Sequence, residues 1–188
     1  MEVNRILGKD ANALKICSEE MEMVENPHEL LTFLKDNGYI DENFSLTEKG
    51  RSIIKVGMVG GVFDLIHIGH IKLLEEAKKY VDLLAVVVAR DETVEKLKGR
   101  RPINEERVRV EVVSKLKPVD VAILGDKSDY TKPVELIKPD IIFLGYDQEL
   151  PCALKGGLEK IEIRKMNVFV EGYKSSSLIR KLIELTGF

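Results

Sequence analysis

The chain has 188 residues, 44% of them hydrophobic and 32% charged, and a formal net charge of −3. That length holds one full domain plus a small module, and the composition is that of a soluble globular protein. No run of about 18 apolar residues occurs and the charged N-terminus lacks a signal-peptide core, so no membrane partner is expected and the expected location is cytoplasmic.

The first fifty residues read as helical. In "NPHELLTFLKDNGYI", Asn26 is placed to cap a helix with Pro27 in its first turn. Leu30, Leu31 and Leu34 form its apolar stripe, and Asn37-Gly38 supplies the stop. In "FSLTEKGRSII", Thr47 can cap a short helix that leads into Ile53 and Ile54. This order of helix, "GYI", short hairpin and "LTEKG" resembles the second half of a winged-helix domain. Residues 1–53 are therefore expected to form a small, mainly helical, winged-helix-like module. Residues 1–50 carry five Lys and Arg against eleven Asp and Glu, a balance ill suited to gripping phosphate backbones, so nucleic acid is not an expected partner. Cys17 and Cys152 are isolated, as two reduced thiols would be.

From residue 54 the grammar changes. "IIKVGMVGG" is a strand running into glycines, "HIKLLEEAKKY" an amphipathic helix, and "VDLLAVVVAR" a near-continuous apolar strand of the kind buried on both sheet faces. "NEERVRVEVVSKL" reads as a helix, "VDVAILG" as a strand, "KPVELIK" as a short helix and "PDIIFLG" as another strand. "IEIRKMNVFV" gives one more strand or a hairpin, and "SSSLIRKLIEL" closes the chain as a helix. Repeated strand–helix–strand units predict an α/β domain over 54–188: a Rossmann-like parallel sheet with helices on both faces and its site at the carboxyl ends of the strands.

The stretch "GGVFDLIHIGH", residues 60–70, holds two of the three histidines of the chain. It falls between the first strand and the following helix, where backbone N–H groups and a helix dipole can hold phosphates. Glycines allow close approach, and His67 and His70, three positions apart, share one face of a helical turn. Imidazoles there can follow charge building on a transferring phosphoryl group. The plainer alternative, two buried structural histidines, fits less well because neither sits in an apolar periodic position. A zinc site needs three or four ligands, and neither cysteine is an obvious third. The GxGxxG of a dinucleotide-binding loop is absent. Near the other end of the chain, Ser175, Ser176 and Ser177 open a helix and offer a second anion site.

"GVFDLIHIGHIKLL" resembles the GxFDxxHxGHxxLL signature of the nucleotidylyltransferase superfamily, whose members attack the α-phosphate of a nucleoside triphosphate with a phosphate oxygen and expel pyrophosphate. "FLGYDQ" (143–148) is similar to the glycine-aspartate turn that frames the nucleotide in that superfamily, and "YKSSSLIRKL" to its serine- and threonine-rich helix cap. With "VVVARDETVEKLKGRRPINEERV" and "AILGDKSDYTKPVELIKPDIIFLGYDQ", the match over roughly 54–183 looks like the archaeal FAD synthase group, which transfers AMP from ATP to FMN. The resemblance implies catalytic roles for His67, His70 and Lys72. It implies nucleotide contacts from Gly61, Val62, Phe63, Gly69, Gly145, Asp147, Ser175, Ser176 and Ser177, and acceptor contacts from Asp64, Asp91, Arg100 and Lys117. It also implies ATP as a substrate, FMN or another phosphate acceptor as the second, a homodimer, and Mg²⁺ held mainly by the triphosphate, so no protein metal ligand is assigned. One departure is Val170 in "FVEGYKSSS", where cytidylyltransferases carry an arginine. CTP-dependent transfer to glycerol 3-phosphate or a related polyol phosphate, and adenylyl transfer to phosphopantetheine, stay open as alternatives. So does a nucleotide-sensing regulator.

Overall fold

The computed structural model describes residues 27–151, 154, 160–168 and 184. The chain divides into two compact units at the Lys55/Val56 junction. In the first, α1 (Pro27–Asp36) starts on its proline, whose fixed φ suits the first turn and whose missing N–H is no loss there. Gly38 ends it at φ +70°: its N–H bonds Lys35 O at 2.9 Å while Tyr39 N–H bonds Leu34 O at 2.8 Å, a Schellman closure. Tyr39, Leu31 and Leu46 pack on buried Leu34 and Ile40, and an antiparallel bridge joins Ile40 to Leu46. Thr47 caps α2 (Glu48–Ser52) as its sequence position predicts, accepting from Gly50 N at 3.1 Å. Asn26 lies outside the described residues.

Among the described residues, the second unit carries five parallel strands: β1 (Val56–Gly61), β2 (Leu83–Val88), β3 (Val121–Leu124), β4 (Ile141–Leu144) and β5 (Glu162–Lys165). Their order is β3-β2-β1-β4-β5. Its helices among the described residues include α3 (Ile68–Lys78), α4 (Asp91–Lys98), α5 (Glu106–Ser114) and α6 (Thr131–Ile137). "LLAVVV" forms β2 because a central strand of a parallel sheet is covered on both faces. Within "IEIRKMNVFV", Glu162–Lys165 form a strand parallel to β4, and residues 169–170 lie outside the described residues. No apolar repeat marks α4, whose "DETVEKLK" buries only Thr93 and Val94.

Strand alternation sorts the sheet into two faces. Val59, Val86, Val88, Ile141 and Phe143 point to one face and form a single core with Leu74 and Ala77 of α3 and Val113 of α5. Met58, Gly60, Val87, Ile142 and Leu144 point to the other and line a cavity of about 240 Å³. Two aspartates fix the amino ends of the strands: Asp140 accepts from Val56 N at 2.7 Å, and Asp120 accepts from Leu84 N at 2.7 Å while pairing with Lys78. The chain goes from β1 to β2 on one side and returns to β4 on the other, so the carboxyl ends of β1 and β4 flank the switch point where such sheets take their ligands.

Candidate active site

The loop leaving β1 explains its own glycines. A Cβ on Gly61 would lie 2.7 Å from the Phe63 ring. Phe63 sits at φ +50°, a conformation that costs a non-glycine residue about 1–3 kcal/mol. It is held there by burial, at 3% exposure, and its ring lies 5.1 Å from that of His70. His67 then caps α3: its Nδ1 accepts from Gly69 N at 3.2 Å, and its carbonyl accepts from His70 N at 2.9 Å. With Nδ1 occupied as an acceptor, the neutral ring carries its proton on Nε2 and is a donor there. The two imidazoles stack with centroids 3.8 Å apart. The positive end of the α3 dipole lies at the same spot.

Burial pushes the His70 imidazole down to about 4, with His67 and Lys98 adding to the shift and Asp147 opposing it. Burial also lowers His67. His70 Nδ1 is buried and has no hydrogen-bond partner among the described residues. The site therefore presents neutral imidazoles, one with unused hydrogen-bonding capacity, at pH 7. Unfolded, His70 takes its proton near 6.5; folded, near 4. Between those values the unfolded chain binds more protons, so stability rises with pH and is lost as pH falls through the window. Urea titrations at pH 7 and pH 4 are expected to show a loss on the order of 3 kcal/mol larger in the native sequence than in His70→Ala. Equal losses would mean that His70 titrates normally.

The carboxylates near the loop are engaged by other chain segments. Asp64 is 5% exposed; its Oδ1 accepts from Ile103 N (2.8 Å) and Asn104 N (3.0 Å), its Oδ2 from Arg100 at 3.5 Å. It thus ties residues 100–104 to the glycine loop. Asp91 opens α4 and bonds Arg109, which is 1% exposed. The same guanidinium donates to Val62 O, Ala89 O and Asn104 O, and Asp91 and Glu106 exchange backbone-to-carboxylate bonds. Arg109 and Gln148 are site-building residues that the sequence reading missed. Gln148 Oε1 accepts from Gly145 N at 2.8 Å and its Nε2 donates to Gly60 O at 3.1 Å, stitching β4 to β1 across the switch point.

Other expected residues fall in different places. Gly69 lies in the first turn of α3 and Asp147 in the turn after β4, close enough to His70 to act on its charge. Lys72 is exposed in α3, two residues and so about 200° around the helix from His70. Lys117 corrects an expectation: it precedes β3, which runs parallel to β2 and β1, and so lies at the opposite end of the sheet from the glycine loop. Ser175, Ser176, Ser177 and Val170 lie outside the described residues. Among the described residues, no helix is long and apolar enough to cross a membrane.

Comparison with known proteins agrees with this geometry. The model of the Cytidylyltransferase-like family matches residues 58–182. A curated relative from Thermoplasma acidophilum, named FAD synthase, is 49% identical over 136 residues, covering 69% of this chain and 95% of the relative. The FAD synthase of Thermoplasma volcanium is 46% identical over the same length and shares. A crystal structure from Thermoplasma volcanium, titled a lipopolysaccharide core biosynthesis protein, superposes with a TM-score of 0.57 at 42% identity, covering 62% of this chain and 99% of that one. A glycine loop, a histidine-capped helix and paired imidazoles at the switch point of a parallel sheet, together with a family match over 58–182, make this chain a member of the cytidylyltransferase-like family.

Proposed function

We propose that this chain is an FMN adenylyltransferase, an FAD synthase. A phosphate oxygen of FMN attacks the α-phosphorus of ATP, a new P–O bond forms, the α–β P–O bond breaks, and pyrophosphate leaves with the electron pair. The observation that carries the reading is the histidine-capped start of α3 beside Gly60 and Gly61, in a chain 49% identical to a protein named FAD synthase. Positioning and charge neutralisation do most of the work in such a transfer. The α3 N-terminus and the donors of His67 and His70 neutralise charge on the triphosphate as it migrates to the leaving group. Gly61, Val62, Phe63, Gly69, Gly145, Asp147 and the serines 175–177 shape the nucleotide's seat.

Asp64 and Asp91 serve the acceptor side by holding residues 100–104 and the end of β2 in place. Their carboxylates are already bonded to protein groups, which fits a Mg²⁺ carried by triphosphate oxygens. That ion supplies further charge neutralisation when bound. In this reading residues 54–188 are the transferase domain and 1–53 an appended module, and the protein works as a cytoplasmic homodimer on small molecules.

The test is pyrophosphate release with Mg²⁺, crossing ATP and CTP against FMN, glycerol 3-phosphate and phosphopantetheine. Turnover confined to ATP with FMN is expected. Turnover with CTP and a polyol phosphate would keep the mechanism and replace the acceptor; silence throughout would favour a nucleotide sensor.

A further inference from the structure

β1 and β4 run side by side only as far as Val59 and Phe143. Beyond that point β1 stays with β2 up to the pair Gly61 and Val88, and β4 with β5 up to Leu144 and Lys165, so the two strands part at the switch point. The Gln148 side chain crosses the gap. Its Oε1 accepts from Gly145 N at 2.8 Å, and its Nε2 donates to Gly60 O at 3.1 Å. Its own backbone N–H bonds Gly145 O at 3.0 Å and closes the turn that aims it. A Cβ on Gly145 would lie 3.3 Å from Oε1, so glycine leaves room for the amide there.

A backbone donor on one side and a backbone acceptor on the other fix which end of the amide faces which strand. Only a neutral group with both a donor and an acceptor at this reach satisfies the two together. A carboxylate accepts only, so one of its oxygens would face the Gly60 carbonyl oxygen unpaired. Gly60 leads into the loop that ends at His67, and Gly145 opens the turn that carries Asp147. The amide therefore sets the width of the crevice between these two edges. Width matters, because misplacing a reacting group by about 1 Å can cost about 100-fold in rate.

We infer that Gln148 is a positioning residue for the nucleoside triphosphate: its amide holds the edges of β1 and β4 at the separation that lets one nucleotide reach the glycine loop and the 145–148 turn together. It touches no reacting atom in this role and acts through Gly60 and Gly145. The role rests on the proposed adenylyl transfer for its kinetic readout, whereas nucleotide binding reads it without any turnover.

The test compares the full native chain with Gln148→Glu and Gln148→Met at pH 8 and pH 5.5. It measures pyrophosphate release with ATP and FMN, binding of ATP and CTP by calorimetry, and melting temperature. Each variant is divided by the native chain at the same pH, which removes the titration that both share. At pH 8 both variants are expected to turn over about 10–100-fold more slowly and to bind nucleotide more weakly. At pH 5.5 Gln148→Glu should recover most of both losses, because the protonated acid again offers one donor and one acceptor. The ionisable groups that line the cavity with it are Asp126, paired with Lys132 at 2.9 Å, Tyr130 and Glu149. The carboxylates among them, neighbouring Asp147 and the Gly60 carbonyl disfavour a further negative charge, so the introduced acid takes its proton above the ordinary glutamate range. Gln148→Met has nothing to protonate and should show the same deficit at both pH values.

A Gln148→Glu deficit that stays level between pH 8 and pH 5.5 would overturn the positioning role and leave the reaction standing. Native rates and affinities in both variants, with only the melting temperature lowered, would do the same and reduce Gln148 to a structural tie. A native chain that releases no pyrophosphate, with nucleotide binding that follows the expected pH pattern, would overturn the transfer and leave the positioning role standing. No pyrophosphate release and no difference in nucleotide binding between native and variants would overturn both.

Discussion

His70→Ala is expected to lower kcat for adenylyl transfer about 10²–10³-fold, the range found when one preorganised donor to a developing oxyanion is removed. KM for ATP should move far less, because the bond strengthens as charge shifts toward the pyrophosphate oxygens. The ring is buried and neutral at pH 7, and its Nδ1 has no hydrogen-bond partner among the described residues. In so desolvated a place a single donor acts on phosphate charge with little competition from water. His70→Asn, which retains an N–H donor, should recover part of the loss. Steady-state pyrophosphate release checks both variants, and an unchanged kcat in His70→Ala would reduce the ring to packing against Phe63.

Arg109→Leu should destabilise the protein by about 3–5 kcal/mol in urea unfolding, the cost of breaking a buried charge pair from one side. The guanidinium is fully buried and bonds Asn104 O at 2.9 Å, Ala89 O at 2.8 Å, Asp91 Oδ1 at 2.6 Å and Val62 O. Removing it strands three carbonyls and a carboxylate at the junction of the glycine loop, the end of β2 and the 99–105 segment. Lysine is no substitute, since one ammonium cannot reach four acceptors arranged for a planar fork. The double variant Arg109→Leu, Asp91→Leu should recover part of the lost stability, as a pairwise cycle requires when the stranded carboxylate is itself removed. Full loss in the double variant would place the cost in the carbonyls alone.

The sequence by itself determined the strands, most of the helices and the phosphate loop. "LLAVVV" is buried on both faces and must sit inside a parallel sheet; Thr47 caps the helix that its position predicts; His67 and His70 stack because three residues span one helical turn. These are local facts, since backbone period and capping chemistry are written within a few neighbouring residues. α4 escaped because a charged octet with one buried valine carries no apolar repeat. Lys117 was misplaced by resemblance, although strand polarity alone puts a residue preceding β3 at the far end of the sheet.

Only the tertiary structure decided what the carboxylates do. Asp64 meets its partners some forty residues on, Arg109 closes on Asp91 from eighteen, and Gln148 reaches Gly60 across 88. The cavity exists only once β1, β2, α4, α6 and β4 are assembled around it. Periodicity tells which face a side chain takes, whereas the choice of partner for a buried polar group is made by whichever distant segment the chain topology brings within hydrogen-bond reach.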